Sequence, residues 1–286
     1  MPILKTPDSH LDDELAPLLP KLDKLMEHIR SLGPVGLGFS GGVDSTFLAA
    51  VCARCASDRV VLFHLDTPFI GTPEQRAFEH SLDMLGLPVV RVALDPLLDE
   101  RIVRNDGDRC YHCKLLGFRA IEQAARERGI ETLLEGSNAD DDETLRPGSR
   151  ATRELGVRSP LRDLGWHKDE ERAVLRAWGF AVWNLPAGAC LATRVATGEP
   201  LTPAALDIIR RCEDELGARG YRQIRLRIRA GRSHVAASER DLERLRATGG
   251  ADTADGVELE PELFEQLCAL GAPNLERSVR PYRYGA

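Results

Sequence analysis

The residues with the clearest capacity for chemistry lie between two apolar runs, in the stretch Phe39-Ser-Gly-Gly-Val-Asp-Ser-Thr46. Its glycines allow a tight turn and a close approach of the backbone to a ligand. The amide groups that follow, at the start of a predicted helix, would then point at an anion, with the helix dipole behind them. The stretch therefore predicts a phosphate-binding loop. Its candidate binding residues are Ser40, Gly41, Gly42, Asp44 and Ser45.

This loop differs from the P-loop of many nucleotide hydrolases in one residue type. It lacks the lysine of the G-x-x-x-x-G-K-[ST] motif, which reaches the β and γ phosphates of a bound nucleotide. We therefore predict that the loop does not act on a γ-phosphate. The alternative interpretation is a plain Gly-Gly turn that is capped by serines and binds no ligand.

Cysteines supply the second candidate chemistry. Cys110 and Cys113 are spaced i, i+3 at the start of a predicted helix, so both sulfurs lie on one helix face. They could bind one metal ion or cluster, act as a redox dithiol, or have no chemical role. Cys190 lies in a loop of small residues, where Arg194 could activate its thiolate or bind an anionic substrate. The other cysteines fall in helical stretches and are predicted core residues: Cys52, Cys55, Cys212 and Cys268.

Carboxylates at two predicted strand ends are candidates for nucleotide and metal binding. Asp66 ends the second predicted strand, a position that often meets a ribose or base in a doubly wound sheet. Gly136 opens the segment Gly136-Ser-Asn-Ala-Asp-Asp141 after the fourth strand. Because Mg²⁺ prefers oxygen ligands, Asp44 and Asp141 are its candidate ligands. A simple turn at the first position and a solvated acidic loop at the second are the alternatives.

The elements that must position these groups alternate between strand and helix. Predicted strands are Val35–Phe39, Val60–Leu65, Val89–Leu94 and Thr132–Glu135, and the predicted helices between them are Ser45–Ala56, Pro73–Leu85 and Tyr111–Arg128. This order predicts an α/β fold, a doubly wound parallel sheet with helices on both faces. Ligands bind beyond the carboxyl ends of such strands, where Ser40, Asp66 and Gly136 fall.

A second unit is predicted after the loop Asn184–Pro203, where the pattern changes. Helices and short alternating strands follow, which predicts a small α+β domain. We therefore expect a first domain over residues 1–186, which includes an N-terminal amphipathic helix over Leu11–Leu32, and a second over 187–286.

Composition limits the class of protein. The chain has 286 residues, 43% of them hydrophobic, which predicts one large domain or two with an ample core. No apolar run approaches the roughly 18 residues of a membrane span, and residues 1–12 lack the apolar segment of a signal peptide. We therefore expect a cytoplasmic protein that does not enter a membrane. The net charge of −7 disfavours a nucleic-acid partner, although the arginines between 219 and 232 would suit a phosphate or carboxylate.

Several segments together carry a family resemblance. They are Ser40–Ser45, Arg109-Cys-Tyr-His-Cys-Lys114, Gly136-Ser-Asn-Ala-Asp-Asp141, Arg146-Pro-Gly148, Val157-Arg-Ser-Pro-Leu161, Cys190-Leu-Ala-Thr-Arg194 and Gln223-Ile-Arg-Leu-Arg227. In this order they resemble the LarE-type ATP-dependent sulfur transferases of the PP-loop ATP pyrophosphatase superfamily. Thr193 departs from the usual Cys-Leu-Ala-Ser-Arg pattern, and the C-terminal Tyr282-Arg-Tyr-Gly285 matches loosely.

The resemblance implies a reaction and its participants. ATP, held with Mg²⁺ at the phosphate loop, would adenylate a carboxylate of a pyridinium dicarboxylate mononucleotide and release pyrophosphate. A sulfur nucleophile would then displace AMP and leave a thiocarboxylate, a step in the synthesis of the nickel-pincer nucleotide. Arg225 and Arg227, which alternate onto one face of a predicted strand, would bind the phosphate or carboxylate of the substrate. A homo-oligomer is also implied.

The source of the sulfur divides the family. In one branch the cysteine that matches Cys190 gives up its own sulfur, and in the other three cysteines hold a [4Fe–4S] cluster with an open iron. Because the chain has Cys110, Cys113 and Cys190, the resemblance favours the cluster, with sacrifice of Cys190 as the alternative. The rival interpretations are a tRNA-thiolating PP-loop enzyme, an amidating PP-loop synthetase, and a nucleotide-binding protein without activity.

Overall fold

The computed structural model describes residues 15–141, 147–186 and 188–282, which form two compact units. The first unit takes in the described residues up to Thr67, together with Pro73–Asp95 and Cys110–Gly188. The second takes in Pro68–Thr72, Pro96–Arg109 and the described residues from Ala189. The predicted domain boundary falls at Ala187, which lies outside the described residues.

Strands and helices alternate through the first part of the chain. In order they are α1 (Leu19–Ser31), β1 (Val35–Gly38), α2 (Val43–Cys55), β2 (Val60–Asp66), α3 (Thr72–Leu85), β3 (Val89–Ala93), α4 (Glu100–Val103), α5 (Arg109–Arg126), β4 (Thr132–Leu134), α6 (Pro147–Glu154), α7 (Pro160–Asp163) and α8 (Lys168–Ala177). All of these except α4 lie wholly or largely in the first unit.

The sheet of the first unit is parallel, with strand order β3-β2-β1-β4. From β1 the chain adds β2 and β3 on one side and later returns to place β4 on the other. The strand order therefore reverses beside β1, and ligands of doubly wound sheets bind at such a switch point. This confirms the predicted α/β fold, and the phosphate loop directly follows β1 at that point.

Helix α2 is buried on nearly every side over Phe47–Cys52, where its sequence is apolar. Residues from Phe47 to Cys52 are fully buried, and the helix packs against α1, α8 and strands β1 and β2. A helix that is hydrophobic all round belongs in a core. Cys52 is buried as predicted, and Cys55 is half-buried and packs against the same core cluster.

The second unit contains a separate sheet. Its elements are α9 (Pro203–Ala218), β5 (Ile224–Arg229), β6 (Arg232–Ala237), α10 (Glu239–Ala247), β7 (Asp252–Thr253), β8 (Gly256–Glu258), α11 (Pro261–Ala269) and β9 (Leu275–Pro281), with α4 added from earlier in the chain. The strand order is β5-β6-β9-β8-β7, and β6 pairs with β9 in parallel while the other neighbours are antiparallel. This confirms a second α+β unit.

One cysteine prediction in this unit is wrong. Cys212 is buried in α9, but Cys268 is exposed on α11. The buried side chains of α11 are Leu263 and Leu267, four residues apart. Cys268 is the next residue after Leu267, so it points about 100° away from that buried stripe.

None of the described helices is long and apolar enough to span a bilayer.

Candidate active site

The phosphate loop is held closed by its own serines. The Oγ atoms of Ser40 and Ser45 lie 3.1 Å apart, and Ser45 Oγ donates to the carbonyl oxygen of Gly42 at 3.2 Å. Gly41 has φ +80°, and a Cβ atom there would lie 2.5 Å from the Cα atom of Phe78. Gly41 is therefore required both by its dihedral angle and by the backbone that passes beside it.

Gly136 brings the end of β4 against the phosphate loop. A Cβ atom at Gly136 would lie 2.9 Å from the amide nitrogen of Ser45 and 3.0 Å from the carbonyl carbon of Asp44. Backbone here packs on backbone, which glycine permits. The structure therefore brings together the loop residues and Gly136, which the sequence placed 91 positions after Ser45.

The Asp44 carboxylate accepts hydrogen bonds from two side chains that the sequence analysis did not select. Lys168 Nζ, at the start of α8, donates to Asp44 Oδ1, and Asn138 Nδ2 lies 3.3 Å from the same oxygen. The start of α8 is fixed by Asp140, whose Oδ2 accepts from the Lys168 amide at 2.7 Å. Lys168 thus supplies an ammonium group beside a loop that has no lysine of its own.

A second carboxyl, Glu171, lies beside Asp44. It is completely buried, and its Oε1 accepts a hydrogen bond from Asn138 Nδ2 at 3.1 Å. Burial, and after it the hydrogen bond and the negative charge of Asp44, hold the pKa of Glu171 far above its ordinary value. Asp44 itself faces the Lys168 ammonium.

Asp141 reaches the same network through the backbone. Its Oδ2 accepts from the Asn138 amide nitrogen at 3.3 Å. Asp44 thus contacts the side chain of Asn138 and Asp141 its backbone, and both offer the hard oxygen ligands that Mg²⁺ prefers. In the described parts of the chain, no three or more His, Cys, Asp or Glu side chains are grouped to hold a metal ion. Mg²⁺ in nucleotide sites commonly takes only one or two carboxylates, with phosphate oxygens and waters as the rest.

Asp66 lies at the end of β2 with an exposed side chain. Its carbonyl oxygen accepts from the Leu94 amide at 3.0 Å, which continues the pairing of β2 with β3. Parallel neighbours end on one edge of a sheet, so Asp66 and the phosphate loop both lie at the carboxyl edge. A direct role for Asp66 in nucleotide binding stays a prediction.

Cys110 and Cys113 lie in the first turn of α5, where Cys110 is exposed and Cys113 is half-buried. Helix α6 packs on this turn. A Cβ atom at Gly148 would lie 3.6 Å from the Cys110 carbonyl oxygen, and the Tyr111 hydroxyl donates to Glu154 Oε2 at 2.7 Å. The sequence did not predict α6, and Arg146 of the Arg-Pro-Gly motif lies outside the described residues.

The residue after Cys113 ties this turn to the end of β4. Lys114 Nζ lies 2.9 Å from Glu135 Oε2, and Ser159 Oγ donates to Glu135 Oε1 at 2.6 Å. Burial alone would raise the pKa of Glu135, but Lys114 and the hydroxyl groups of Ser137 and Ser159 lower it below its ordinary value. Glu135 is therefore buried and charged, and its contact with Lys114 connects α5 to the end of β4 next to Gly136.

In the second unit Cys190 is exposed and precedes a short 3-10 turn, Leu191–Arg194. Arg194 is 4% exposed. Its Nη1 donates to the carbonyl oxygens of Ala189 at 2.7 Å and Cys190 at 3.2 Å. Its Nε and Nη2 donate to the two oxygens of Glu213 at 2.9 and 3.0 Å. Arg194 thus fixes the shape of the Cys190 loop, and its role toward a substrate stays a prediction.

Glu213 on α9 also reaches the arginine strand. Its Oε1 accepts from the Leu226 amide at 3.1 Å, and its Oε2 lies 4.0 Å from Arg225 Nη1. Arg225 is buried, whereas Arg227 is half-buried and its guanidinium lies 5.7 Å from the ring centroid of Tyr282. Glu213 therefore connects the Cys190 loop, through Arg194, with β5. A role of Arg225 and Arg227 in substrate binding stays a prediction.

Several known proteins have similar sequences. Residues 21–161 match the asparagine synthase family. An uncharacterized protein of Synechocystis sp. is 29% identical over 247 residues, which is 86% of this chain and 84% of that protein. The pyridinium-3,5-bisthiocarboxylic acid mononucleotide synthase of Lactiplantibacillus plantarum is 27% identical over 216 residues, 74% of this chain and 78% of the synthase. One subunit of the glutamine-hydrolyzing GMP synthase of Methanosphaerula palustris is 30% identical, over 51% of this chain and 50% of that protein.

These similarities agree with the geometry. The GMP synthase match covers about half of the chain, as the asparagine synthase match does, whereas the synthase from Lactiplantibacillus is similar over about three quarters of it. The parallel sheet and the glycine-serine loop at its switch point agree with these similarities, which are to the PP-loop domain of the asparagine synthase family over residues 21–161 and to the pyridinium-3,5-bisthiocarboxylic acid mononucleotide synthase over 74% of the chain.

Proposed function

We propose that the protein adenylates a carboxylate of a pyridinium dicarboxylate mononucleotide with ATP and converts it into a thiocarboxylate, as a step toward the nickel-pincer nucleotide. The observation that carries this proposal is the extent of the similarity to the bisthiocarboxylic acid mononucleotide synthase, which covers 74% of the chain. The Cys190 loop supports it, because an exposed cysteine in a loop held by buried charge is suited to sulfur chemistry.

The chemistry requires activation because a carboxylate oxygen is a poor leaving group. A substrate carboxylate oxygen bonds to the α-phosphorus of ATP, the bond to the bridging oxygen breaks, and pyrophosphate leaves. The sulfur nucleophile then adds to the acyl carbon, and AMP departs with the oxygen. The loop amides and the hydroxyl groups of Ser40 and Ser45 would hold the pyrophosphate, and Lys168 would offset its charge.

Two bound groups are part of the proposal. Asp44 and Asp141 would hold Mg²⁺ together with the phosphates, and the ion would neutralise charge that develops on the leaving pyrophosphate. Cys110 and Cys113 have the same-face spacing and accessibility that a thiolate-ligated cluster needs, and Cys190 would be its third ligand. A [4Fe–4S] cluster so held would supply a transferable sulfide. The alternative is loss of the Cys190 sulfur itself.

Substrate recognition is assigned to the arginines of the second unit. Arg225 and Arg227 would bind the phosphate or a carboxylate of the mononucleotide, because guanidinium groups pair with both in a bidentate way. Arg194 would contribute through the position that it gives to the Cys190 loop.

The test uses the purified protein with ATP, Mg²⁺ and pyridinium-3,5-dicarboxylic acid mononucleotide. We expect pyrophosphate release that depends on the acid, and a product heavier by the replacement of one oxygen by sulfur. Cys190→Ala should still release pyrophosphate but form no sulfur-containing product, whereas Cys268→Ala, at an exposed cysteine on α11, should behave as the wild type. Absence of pyrophosphate release in the wild type would refute the proposal.

The same assay separates the alternatives. The GMP synthase match favours an amidating enzyme as the second candidate, and such an enzyme would form its product from ammonia regardless of Cys190. Iron and sulfide analysis after anaerobic purification separates the two sulfur sources. If the protein holds a cluster, both iron and sulfide should be found. If Cys190 gives up its own sulfur, its mass should fall by that of hydrogen sulfide after one turnover.

A further inference from the structure

His64, on β2, is a buried histidine to which the proposed reaction gives no role. It is 1% exposed, and its ring stacks on the ring of Phe78 with the two centroids 3.7 Å apart. Its Nε2 atom is buried and has no hydrogen-bond partner among the described residues. An apolar residue would be the ordinary choice for such a position, because a buried polar atom without a partner is costly.

The other ring nitrogen of His64 contacts the residue that leads into the phosphate loop. The pairing of β1 with β2 runs as far as Gly38 and Phe63, and the amide of Phe39 then donates to the Phe63 carbonyl oxygen at 2.8 Å. The Phe39 carbonyl oxygen lies 2.9 Å from His64 Nδ1. Because a carbonyl oxygen can only accept, Nδ1 carries the hydrogen and donates it.

This hydrogen bond fixes one end of a peptide group whose other end lies in the phosphate loop. The Phe39 carbonyl and the Ser40 amide belong to one planar unit. The Ser40 amide donates to Ser45 Oγ at 3.3 Å, and the same Oγ donates to the Gly42 carbonyl oxygen at 3.2 Å. Rotation of this peptide group would therefore break its bonds to both His64 and Ser45.

We propose that His64 is a positioning residue that fixes the first peptide group of the phosphate loop for the binding of a pyrophosphate group. The loop would bind this group through its amides and serine hydroxyls, so its affinity depends on the directions of these donors. A site whose groups are already oriented loses less free energy on binding than one that must order them. The inference rests on the proposed function only in that the loop binds the pyrophosphate part of ATP.

Two substitutions of equal shape separate the hydrogen bond from the rest of the side chain. In His64→Asn the amide nitrogen is bonded to Cγ, as Nδ1 is, and can donate to the Phe39 carbonyl oxygen. His64→Leu has the same branching at Cγ but no donor, and both variants lose the ring that stacks on Phe78. His80→Leu, at an exposed histidine of α3, is the control for loss of an imidazole elsewhere in the unit.

The experiment measures binding of pyrophosphate and of α,β-methylene-ATP, each with Mg²⁺, by calorimetry, together with thermal unfolding of each variant. We expect His64→Asn and His80→Leu to bind both ligands within about threefold of the wild type. We expect His64→Leu to bind both about tenfold more weakly, because the loop peptide loses its donor. His64→Leu should nevertheless unfold at a higher temperature than His64→Asn, since it buries no unpaired polar atom. A purely structural role would make affinity follow stability.

Each other outcome contradicts the inference. Equal affinities of His64→Leu and His64→Asn would show that the donor does not matter. A loss that appears with the ATP analogue and not with pyrophosphate would show that His64 acts on another part of the nucleotide. If His64→Leu fails to fold, His64→Phe, which keeps an aromatic ring but has no donor, takes its place. A wild type that binds neither ligand would instead refute the proposed function itself.

Discussion

At the residue scale, Gly41 and Gly42 look alike in sequence but carry different constraints. Gly41 has φ +80°, and an added Cβ would lie 2.5 Å from the backbone of Phe78. Gly42 has φ −73°, and the nearest atom to its added Cβ would be Ser40 Oγ at 3.4 Å. Substitution of Gly41 therefore measures the cost of backbone strain and of the contact with Phe78, whereas substitution of Gly42 measures the cost of changing the loop without either.

We predict that Gly41→Ala destabilises the protein by at least about 2 kcal/mol, because the left-handed dihedral costs about 1–2 kcal/mol in itself and the contact with Phe78 adds to it. Gly42→Ala should cost less than about 1 kcal/mol. Chemical denaturation of both variants measures the difference. Equal losses in the two would show that the contact with Phe78 does not constrain the loop.

Some residues of the candidate site could be selected from the sequence, and others could not. The loop, Gly136 and the three cysteines were selected because their residue types are unusual where they stand. Lys168 and Glu171 were not, because they open an ordinary amphipathic helix, and nothing local distinguishes them. Lys168 meets Asp44 across 124 positions, a proximity that only the fold creates. The absence of a loop lysine was the available signal, since it implied that another segment supplies the cation.

At the element scale, Glu213 joins three pieces of the second unit: helix α9, the turn that contains Arg194, and strand β5. Glu213 is 10% exposed and Arg194 is 4% exposed. Removing one partner of a buried ion pair leaves the other charge without compensation, which typically costs about 3–5 kcal/mol. The same helix carries a second, more exposed pair, Arg219 with Glu215, at 28% and 25% exposure.

These two pairs give a matched prediction. Glu213→Gln should lower the free energy of unfolding by about 3 kcal/mol, because it leaves the buried charge of Arg194 without a counter-ion and removes the negative charge near Arg225. Glu215→Gln, the same change on the same helix, should cost less than about 0.5 kcal/mol. Urea denaturation tests both. A loss for Glu213→Gln no larger than that for Glu215→Gln would mean that Glu213 does not hold these elements together.

The contact between α5 and β4 gives a prediction that depends on pH. The pKa of Glu135 is lowered from an ordinary value of 4.5, so its ion pair with Lys114 contributes stability above that pH and loses it as pH falls through the folded-state pKa. Lys114→Met should therefore cost about 2 kcal/mol at pH 7, and the gap to the wild type should narrow in acid. Denaturation from pH 7 downward measures this gap.

The control for that experiment lies on the same helix. Arg126 is 69% exposed in its pair with Glu122, so Arg126→Met should change stability by less than about 0.5 kcal/mol at any pH. A gap between Lys114→Met and wild type that stays constant as the pH falls would show that the lysine stabilises α5 by packing alone.

Elements with a strong apolar period were predicted from sequence, and those without one were missed. Strands β1, β2 and β4 and helix α2 are largely buried and mostly apolar, whereas β3 is half-buried or exposed, and the predicted bounds of all five agree within one or two residues. Strand β9 lies in the middle of the second sheet, but among its residues Val279 alone is buried, so no alternation marks it. Helix α6 begins with Pro-Gly, which resembles a turn, and a Cβ atom at Gly148 would lie 3.1 Å from Lys114 Cδ.

At the scale of the whole molecule, charge separates the sulfur-transfer proposal from tRNA thiolation. Nucleic acids bind largely through release of counterions by many basic contacts, and a chain with net charge −7 offers a weak field for that. The basic residues that do cluster are the arginines near β5, where Arg194 and Arg225 are already engaged by Glu213. A cluster of this size matches one phosphorylated small molecule better than a polynucleotide.

We therefore predict that the protein binds tRNA at physiological salt with a dissociation constant no lower than about 1 μM, which is the tight end of non-specific binding. Filter binding measures this constant. The substrate mononucleotide should bind under the same conditions, and Arg227→Ala should weaken it. Arg229→Ala, at an exposed arginine of the same strand, is the control and should leave mononucleotide binding unchanged. Saturable tRNA binding that Arg229→Ala weakens would favour a thiolating enzyme. It would mean that the local arginine field, rather than the net charge of the chain, determines the partner.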